Sequence, residues 1–279
     1  MRGRRIRAPK AIARIQKEDL KKGIYILPNL LTTGSLFMGL YSIMLSIDAA
    51  VKGTTNGTTD GLFVPAVWAI LAAALFDGLD GKVARLTHTE SAFGVEYDSI
   101  SDAISFGVAP AFLLYLWALS PFERFGFLGA ALYAICAALR LARFNVRINT
   151  VEKKVFHGLP SPGGALMLAA TVLYFEDTGL SVEVWRPFLL VMVCCAGLLM
   201  VSNIKYSSFK ELDVLKRKPF HVLILVILIA IMVATRPEMM VFALISLYVL
   251  SGPLFILYRT VFKAKGGEAA REKDLGRTG

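Results

Sequence analysis

Residues Asp77–Asp102 read DGLDGKVARLTHTESAFGVEYDSISD, and they stand between two runs, Leu62–Phe76 and Ala103–Leu119, that contain no charged residue. Four aspartates, Asp77, Asp80, Asp98 and Asp102, therefore sit at the edges of apolar segments of nearly membrane length. The run before Asp77 makes about 22 Å of helix at about 1.5 Å per residue, against a hydrocarbon core about 30 Å thick. That places Asp77 at the level of lipid headgroups. Asp77, Asp80 and Gly81 lie at i, i+3 and i+4, with Ala84 one turn further, and so share a helical face; Gly94, Asp98 and Asp102 step by four and share another. A short polar loop makes the two helices antiparallel neighbours whose faces can meet. Carboxylates packed this closely stay ionised only if something positive sits among them. Hard oxygen ligands select Mg²⁺ or Mn²⁺, held together with substrate phosphates. Gly81 lets a bulky anion approach the backbone, Ala84 keeps that face low, and Arg85 offers a fixed cation for phosphate.

Working outward, the chain reads as an all-α polytopic membrane protein, a helical bundle. It has 279 residues, 56% of them hydrophobic, with mean hydropathy +0.59, where soluble domains run at about 45–50% apolar. Eight spanning helices are expected, at about Ile24–Ile47, Leu62–Arg85, Phe93–Leu119, Phe125–Arg143, Gly163–Phe175, Pro187–Ser202, Phe220–Ala234 and Met239–Tyr258. If both termini are cytoplasmic, 27 of the 31 Lys and Arg fall on the inner side, and only Lys52, Arg124, Arg186 and Arg236 on the outer. This positive-inside asymmetry puts the aspartates at the cytoplasmic face. The net charge of +10 is then topological and calls for no nucleic-acid partner. Met1–Lys22 is a basic segment suited to anionic headgroups. No short apolar core with a cleavage site follows it, so no cleavable signal is expected. Cys136, Cys194 and Cys195 lie in apolar runs and read as small packing residues.

The pattern Asp77-x2-Asp80-Gly81-x2-Ala84-Arg85-x8-Gly94-x3-Asp98-x3-Asp102 resembles the signature of the CDP-alcohol phosphotransferase family. The resemblance implies a six-helix core over about 23–202, preceded by the basic segment 1–22 and followed by two further helices, 203–262, and a flexible tail, 263–279. It implies a CDP-linked lipid as substrate. Asp77, Asp80, Asp98 and Asp102 would hold divalent metal, Mg²⁺ or Mn²⁺, as two ions on the diphosphate, and Asp102 would serve as general base. Gly81, Ala84, Arg85 and Gly94 would line the nucleotide site. Asn29 and Thr32, in the Pro-Asn-x-x-Thr opening of the first helix, would face the nucleotide as well. Metal-assisted positioning is the physics that phosphoryl transfer needs.

The acceptor is read from Ala138–Gly164. Arg140-x-x-Arg143-Phe144-Asn145 and Gly158-Leu159-Pro160-Ser161-Pro162 resemble the serine-using branch of the family. An amino-acid acceptor needs a cation for its carboxylate, which Arg140 or Arg143 could supply, and an acceptor for its ammonium, which Asn145 could supply. The expected reaction joins CDP-diacylglycerol and L-serine, giving phosphatidylserine and CMP, in the inner plasma membrane with the site cytoplasmic; the family resemblance also implies a homodimer. The same arginines would suit glycerol 3-phosphate or inositol phosphate. A UbiA-type prenyltransferase would want a second Asp-rich motif, and none recurs after Asp102. A transporter would want internal repeats, and none is evident.

Overall fold

The computed structural model describes residues 10–56, 61–87, 89, 91–148, 158–204, 206, 227 and 235–255, the side chains of 10–25 and 147–148 excepted. The elements in order are α1 (Lys10–Asn56), α2 (Val64–Thr87), α3 (Ala92–Asp102), a π-helical stretch (Ala103–Val108), α4 (Ala109–Leu114), a second π-helical stretch (Tyr115–Leu119), a 3₁₀ turn (Ser120–Phe122), α5 (Glu123–Ile148), α6 (Ser161–Thr178) and α7 (Val182–Val201). A last helix, α8 (Pro237–Phe255), is long and apolar enough to cross a membrane, as are α1, α2, the α3–α5 stretch and α7. The chain is thus an all-α integral membrane protein. The helix expected at Phe220–Ala234 lies outside the described residues.

Two sequence expectations need correcting. The sequence predicts a first helix from Ile24 with Pro28 in its opening turn, but α1 runs unbroken from Lys10 and carries Pro28 inside it. A proline in a helix forfeits one i→i−4 bond, here the one to the Ile24 carbonyl, and neighbouring polar groups in a bundle can re-satisfy what it frees. The third helix was expected to be regular over Phe93–Leu119. Instead it widens twice, with i→i−5 bonds from Ala109 N–H to the Ile104 carbonyl and from Ser120 N–H to the Tyr115 carbonyl. The first widening begins at the residue after Asp102. Such insertions are rare and concentrate at functional positions.

Packing follows membrane rules. The buried face of α1 is Thr32, Ser35, Gly39, Ser42, Ser46 and Ala49, every third or fourth residue and all small, while Phe37, Leu40, Tyr41, Met44, Ile47 and Val51 point outward. Small residues let backbones approach where lipid supplies no hydrophobic drive between helices. The close approach is bridged by hydroxyls: Ser101 Oγ donates to the Thr32 carbonyl at 3.2 Å, Ser105 Oγ to the Ser35 carbonyl at 3.0 Å and Ser42 Oγ to the Ala66 carbonyl at 2.8 Å. A Cβ on Gly39 would stand 2.8 Å from the Ser105 Cα, so α1 and the first π stretch touch backbone to backbone.

Helix α6 fills the middle. Gly164, Ala165 and the run Met167–Leu173 are all buried, as a helix apolar on every side must be. Its far end is fastened by Glu176, which accepts from Gly61 N–H at 2.6 Å and from Trp117 Nε1–H at 3.3 Å. Helix α8 lies against α6, with the Phe242 and Tyr174 rings stacked at 4.5 Å.

Candidate active site

The carboxylates of α2 and α3 converge at one end of the bundle. One oxygen from each of Asp77, Asp98 and Asp102 lies within 4.8 Å of the others. Helical spacing puts them there: Asp98 and Asp102 are one turn apart on α3, and the Ser101 and Ser105 hydroxyls tie the next face of that helix to α1. At an effective dielectric near 20, two unit charges this far apart repel by about 3.5 kcal/mol, so three ionised carboxylates need a cation between them. Asp98 Oδ1 and Asp102 Oδ1 are moreover buried with no hydrogen-bond partner among the described residues. Orphaned buried carboxylate oxygens are costly. The donor set, hard and anionic, fits Mg²⁺ or Mn²⁺. Asp80 is not one of these three. It is 5% exposed and accepts from the Thr32 hydroxyl at 2.8 Å.

A cavity of about 350 Å³ opens beside the cluster, lined by Asn29, Thr32, Asp80, Gly81, Ala84, Arg85, Gly94 and Asp98, with Pro28, Thr89, Ser91, Val95 and Phe144. All six residues assigned to the nucleotide from sequence therefore share one wall set with two of the aspartates. The size suits a small ligand. A Cβ on Gly81 would meet only the Arg85 guanidinium, at 3.7 Å, and Arg85 is held over the opening by its Nε–H bond to the Gly81 carbonyl at 2.7 Å. Gly94 is tight rather than open: a Cβ there would stand 3.1 Å from Ser91 Oγ and 3.4 Å from Asn29 Oδ1. Ser91 caps α3 by accepting from Gly94 N–H at 3.0 Å. A larger hollow, about 910 Å³, lies at the other end of the bundle around Glu176, Glu183 and Arg186 and touches none of the four aspartates.

The three residues assigned to the acceptor are not equivalent. Arg140 turns inward and donates from Nη1 to Ser161 Oγ at 2.8 Å, and Ser161 is fully buried. Its Nε is buried without a hydrogen-bond partner among the described residues, and Arg140 lies within electrostatic reach of Asp102. Arg143 instead donates to the Val201 carbonyl at 3.2 Å and to Asn203 Oδ1, which satisfies the carbonyl end of α7. Asn145 donates from Nδ2 to Ser99 Oγ at 2.8 Å, joining α5 to α3 beside Asp98.

Residues 25–201 match the CDP-alcohol phosphatidyltransferase family over more than half of the chain. The chain belongs to that family. It is similar to the CDP-diacylglycerol–serine O-phosphatidyltransferase of Helicobacter pylori, with 35% identity over 246 residues that cover 86% of this chain and 95% of the relative. The protein of the same name from Mycobacterium leprae is 33% identical over 244 residues, 84% of this chain and 75% of its own. An archaetidylserine synthase from Methanothermobacter thermautotrophicus is 40% identical over 182 residues, covering 64% and 69%.

In this CDP-alcohol phosphatidyltransferase several site-forming residues were not read from the sequence. Ser161 is one; nothing in Gly158–Pro162 says that its hydroxyl faces Arg140. The same segment crosses the end of α7, with Gly158 N–H bonded to the Ile204 carbonyl at 2.8 Å and Leu159 N–H to the Leu199 carbonyl at 3.0 Å. Gly158 has φ +85°, and a Cβ there would run into the Met200 carbonyl, so only glycine fits. Tyr133 is another: fully buried, it donates to the Phe106 carbonyl at 3.0 Å inside the π stretch. A tyrosine in an apolar run is the signal that could have drawn attention to it, since its hydroxyl needs a partner.

Proposed function

We propose that this enzyme transfers the phosphatidyl group of CDP-diacylglycerol to the hydroxyl of L-serine, giving phosphatidylserine and CMP. The observation that carries the reading is the carboxylate cluster of Asp77, Asp98 and Asp102 set beside a nucleotide-sized cavity walled by the family motif. The names of the relatives support the substrates.

In this reading Asn29, Thr32, Gly81, Ala84, Arg85 and Gly94 hold the CDP portion, with Arg85 on phosphate. Asp77, Asp80, Asp98 and Asp102 hold the divalent ions, two in number; bound Mg²⁺ or Mn²⁺ would neutralise the diphosphate and make CMP a better leaving group. Thr32 orients Asp80 through their hydrogen bond. The serine hydroxyl oxygen bonds to the phosphorus that carries the diacylglycerol. The bond from that phosphorus to the bridging oxygen breaks, its electron pair leaving with CMP. The hydroxyl proton goes to a carboxylate oxygen of Asp102, the residue beside the acceptor side of the cluster.

Arg140 holds the serine carboxylate, and Asn145 stands near the ammonium. With Arg143 engaged at the end of α7, the acceptor side offers one inward guanidinium from this pair. That suits a carboxylate monoanion better than the phosphate dianion of glycerol 3-phosphate or inositol phosphate. The positive-inside pattern supports a cytoplasmic site and cytoplasmic termini in the plasma membrane, where free serine is available. The proposal includes a homodimer and a catalytic core over 23–202, with the basic segment, the later helices and the tail outside it.

The test is CMP release by purified protein in lipid nanodiscs supplied with CDP-diacylglycerol, Mg²⁺ or Mn²⁺, and separate acceptors. Serine-dependent release is expected, and Asp102→Asn should lower it by roughly 10²–10⁴-fold while CDP-lipid still binds. Release that follows glycerol 3-phosphate and ignores serine would refute the acceptor; an unimpaired Asp102→Asn would refute the base.

A further inference from the structure

We propose that Tyr133 on α5 is a positioning residue for the transfer: its bond to the first π stretch sets the distance between an acceptor held at Arg140 and the carboxylate of Asp102. This rests on the serine reading above, with Asp102 as its base.

Tyr133, Ala137 and Arg140 step by four and then three along α5 and so share one face. At one end of that face Arg140 is bonded to Ser161 of α6 and lies within electrostatic reach of Asp102. In the middle, Ala137 lies over the π stretch that begins one residue after Asp102. A Cβ on Gly107 would stand 3.2 Å from the Ala137 Cβ and 3.6 Å from the Ala134 carbonyl oxygen. From another side α7 closes on the same helix, where a Cβ on Gly197 would stand 3.0 Å from the Tyr133 Cα. Glycine and alanine contacts of this kind bring backbones together. They offer no large side chain to stop α5 from sliding along its axis.

Tyr133 supplies the stop. It is fully buried, and its hydroxyl donates to the Phe106 carbonyl at 3.0 Å. Four residues beyond Phe106 stands Pro110, which has no N–H to give that carbonyl. The hydroxyl of α5 thus takes the place of a helical donor, and a hydrogen bond is directional where an alanine contact is not. Tyr133 belongs neither to the carboxylate cluster nor to the cavity beside it. The bond instead joins the helix that holds the acceptor's cation to the stretch that follows the base. Its loss should let the two slip past each other while each keeps its own ligands.

The test uses the full chain in nanodiscs, assayed well below the melting temperature of every variant. Tyr133→Phe keeps the ring and removes only the hydroxyl. A misplacement of about 1 Å costs roughly 100-fold in rate, so a slip of half that should lower kcat with serine about tenfold. The KM for serine, the KM for CDP-diacylglycerol and the Mn²⁺ affinity should match the parent. Gly107→Ala presses on Ala137 with the hydroxyl in place, and should lower kcat a few-fold with the same constants unmoved. Tyr206→Phe is the control. It removes the same kind of bond, from a buried tyrosine to the Val249 carbonyl at 3.0 Å, and should lower the melting temperature with kcat unchanged. Parent-level kcat in Tyr133→Phe or in Gly107→Ala would overturn the proposal. So would an equal loss of kcat in Tyr206→Phe, which would mark destabilisation alone, or a raised KM for serine with kcat unchanged in Tyr133→Phe, which would mark binding. Parent protein that ignores serine, or Asp102→Asn that turns over like the parent, fails before the seam variants are compared, which separates failure of the underlying reading from failure of the Tyr133 assignment.

Discussion

Replacing Gly39 by alanine tests whether the seam between α1 and the first π stretch sets the geometry of the carboxylates. The added Cβ would stand 2.5 Å from Ser105 Oγ, 2.8 Å from Ser105 Cα and 3.0 Å from Ser105 Cβ. The Cα is backbone and cannot rotate away. To restore an ordinary contact of 3.4 Å from 2.8 Å, α1 and the π stretch must part by about 0.6 Å. Overpacking of this kind costs about 1–3 kcal/mol. The same movement strains the Ser101–Thr32 and Ser105–Ser35 bonds and shifts Asp98 and Asp102 relative to Thr32 and the cavity. A misplacement of about 1 Å costs roughly 100-fold in rate, so kcat/KM should fall by roughly 10- to 100-fold while the protein stays folded with a melting temperature a few degrees lower. Turnover is followed as CMP release in nanodiscs, and stability by thermal unfolding of the same samples. Ser105→Gly removes two of the three close atoms, the Oγ and the Cβ, and should recover part of the loss in the Gly39→Ala background, a coupling readable as a double-mutant cycle. Full activity and unchanged stability in Gly39→Ala would refute the idea that this backbone contact positions the site.

Three other outcomes follow from the same geometry. Asp98→Asn should weaken Mn²⁺ binding measured by isothermal titration more than Thr32→Val does, because the first removes a member of the converging cluster and the second leaves a buried oxygen of Asp80 without its hydroxyl donor, a loss of roughly 1–3 kcal/mol. Arg140→Gln should raise the KM for serine with little change in melting temperature, whereas Arg143→Ala should cost about 1–2 kcal/mol of stability, seen as a lower melting temperature, with KM unchanged, because Arg143 is tied to the end of α7. Gly158→Ala should destabilise by at least about 2 kcal/mol, since it places a Cβ on a left-handed residue against the Met200 carbonyl; thermal unfolding decides it.

The aspartate motif was legible because its spacing is its geometry: residues three and four apart share a helical face whatever the surroundings. Asn29 and Thr32 were read only through the resemblance of Pro28-Asn29-x-x-Thr32 to the family's opening, and the proline was wrongly taken for a helix start. Arg140 and Arg143 were not separable, because i and i+3 share a face too. What divides them is the tertiary partner, Ser161 for one and the last carbonyls of α7 for the other, and neither leaves a trace in residues 140–143. The π stretches were invisible because Ala103–Leu119 is uniformly apolar, and an i→i−5 bond needs no special composition. Helix α6 was expected to be shorter than the observed Ser161–Thr178; its last turn contains Glu176 and Asp177, which by hydropathy alone read as loop, yet Glu176 is a clamp.

The inward stripe of α1 also bears on how this chain can vary over time. In a water-soluble helix the bulky apolar positions are the guarded ones and the small hydroxyl positions drift. Here Phe37, Leu40, Met44 and Val51 meet lipid, and any residue of similar oiliness serves them. Ser35, Gly39, Ser42 and Ser46 are buried, Ser42 bonds to the Ala66 carbonyl, and at Gly39 an added Cβ would run into the Ser105 backbone. Tolerance to substitution along α1 should therefore run opposite to size, and a saturation library of this helix would show its permissive sites facing outward and its forbidding ones written in serine and glycine.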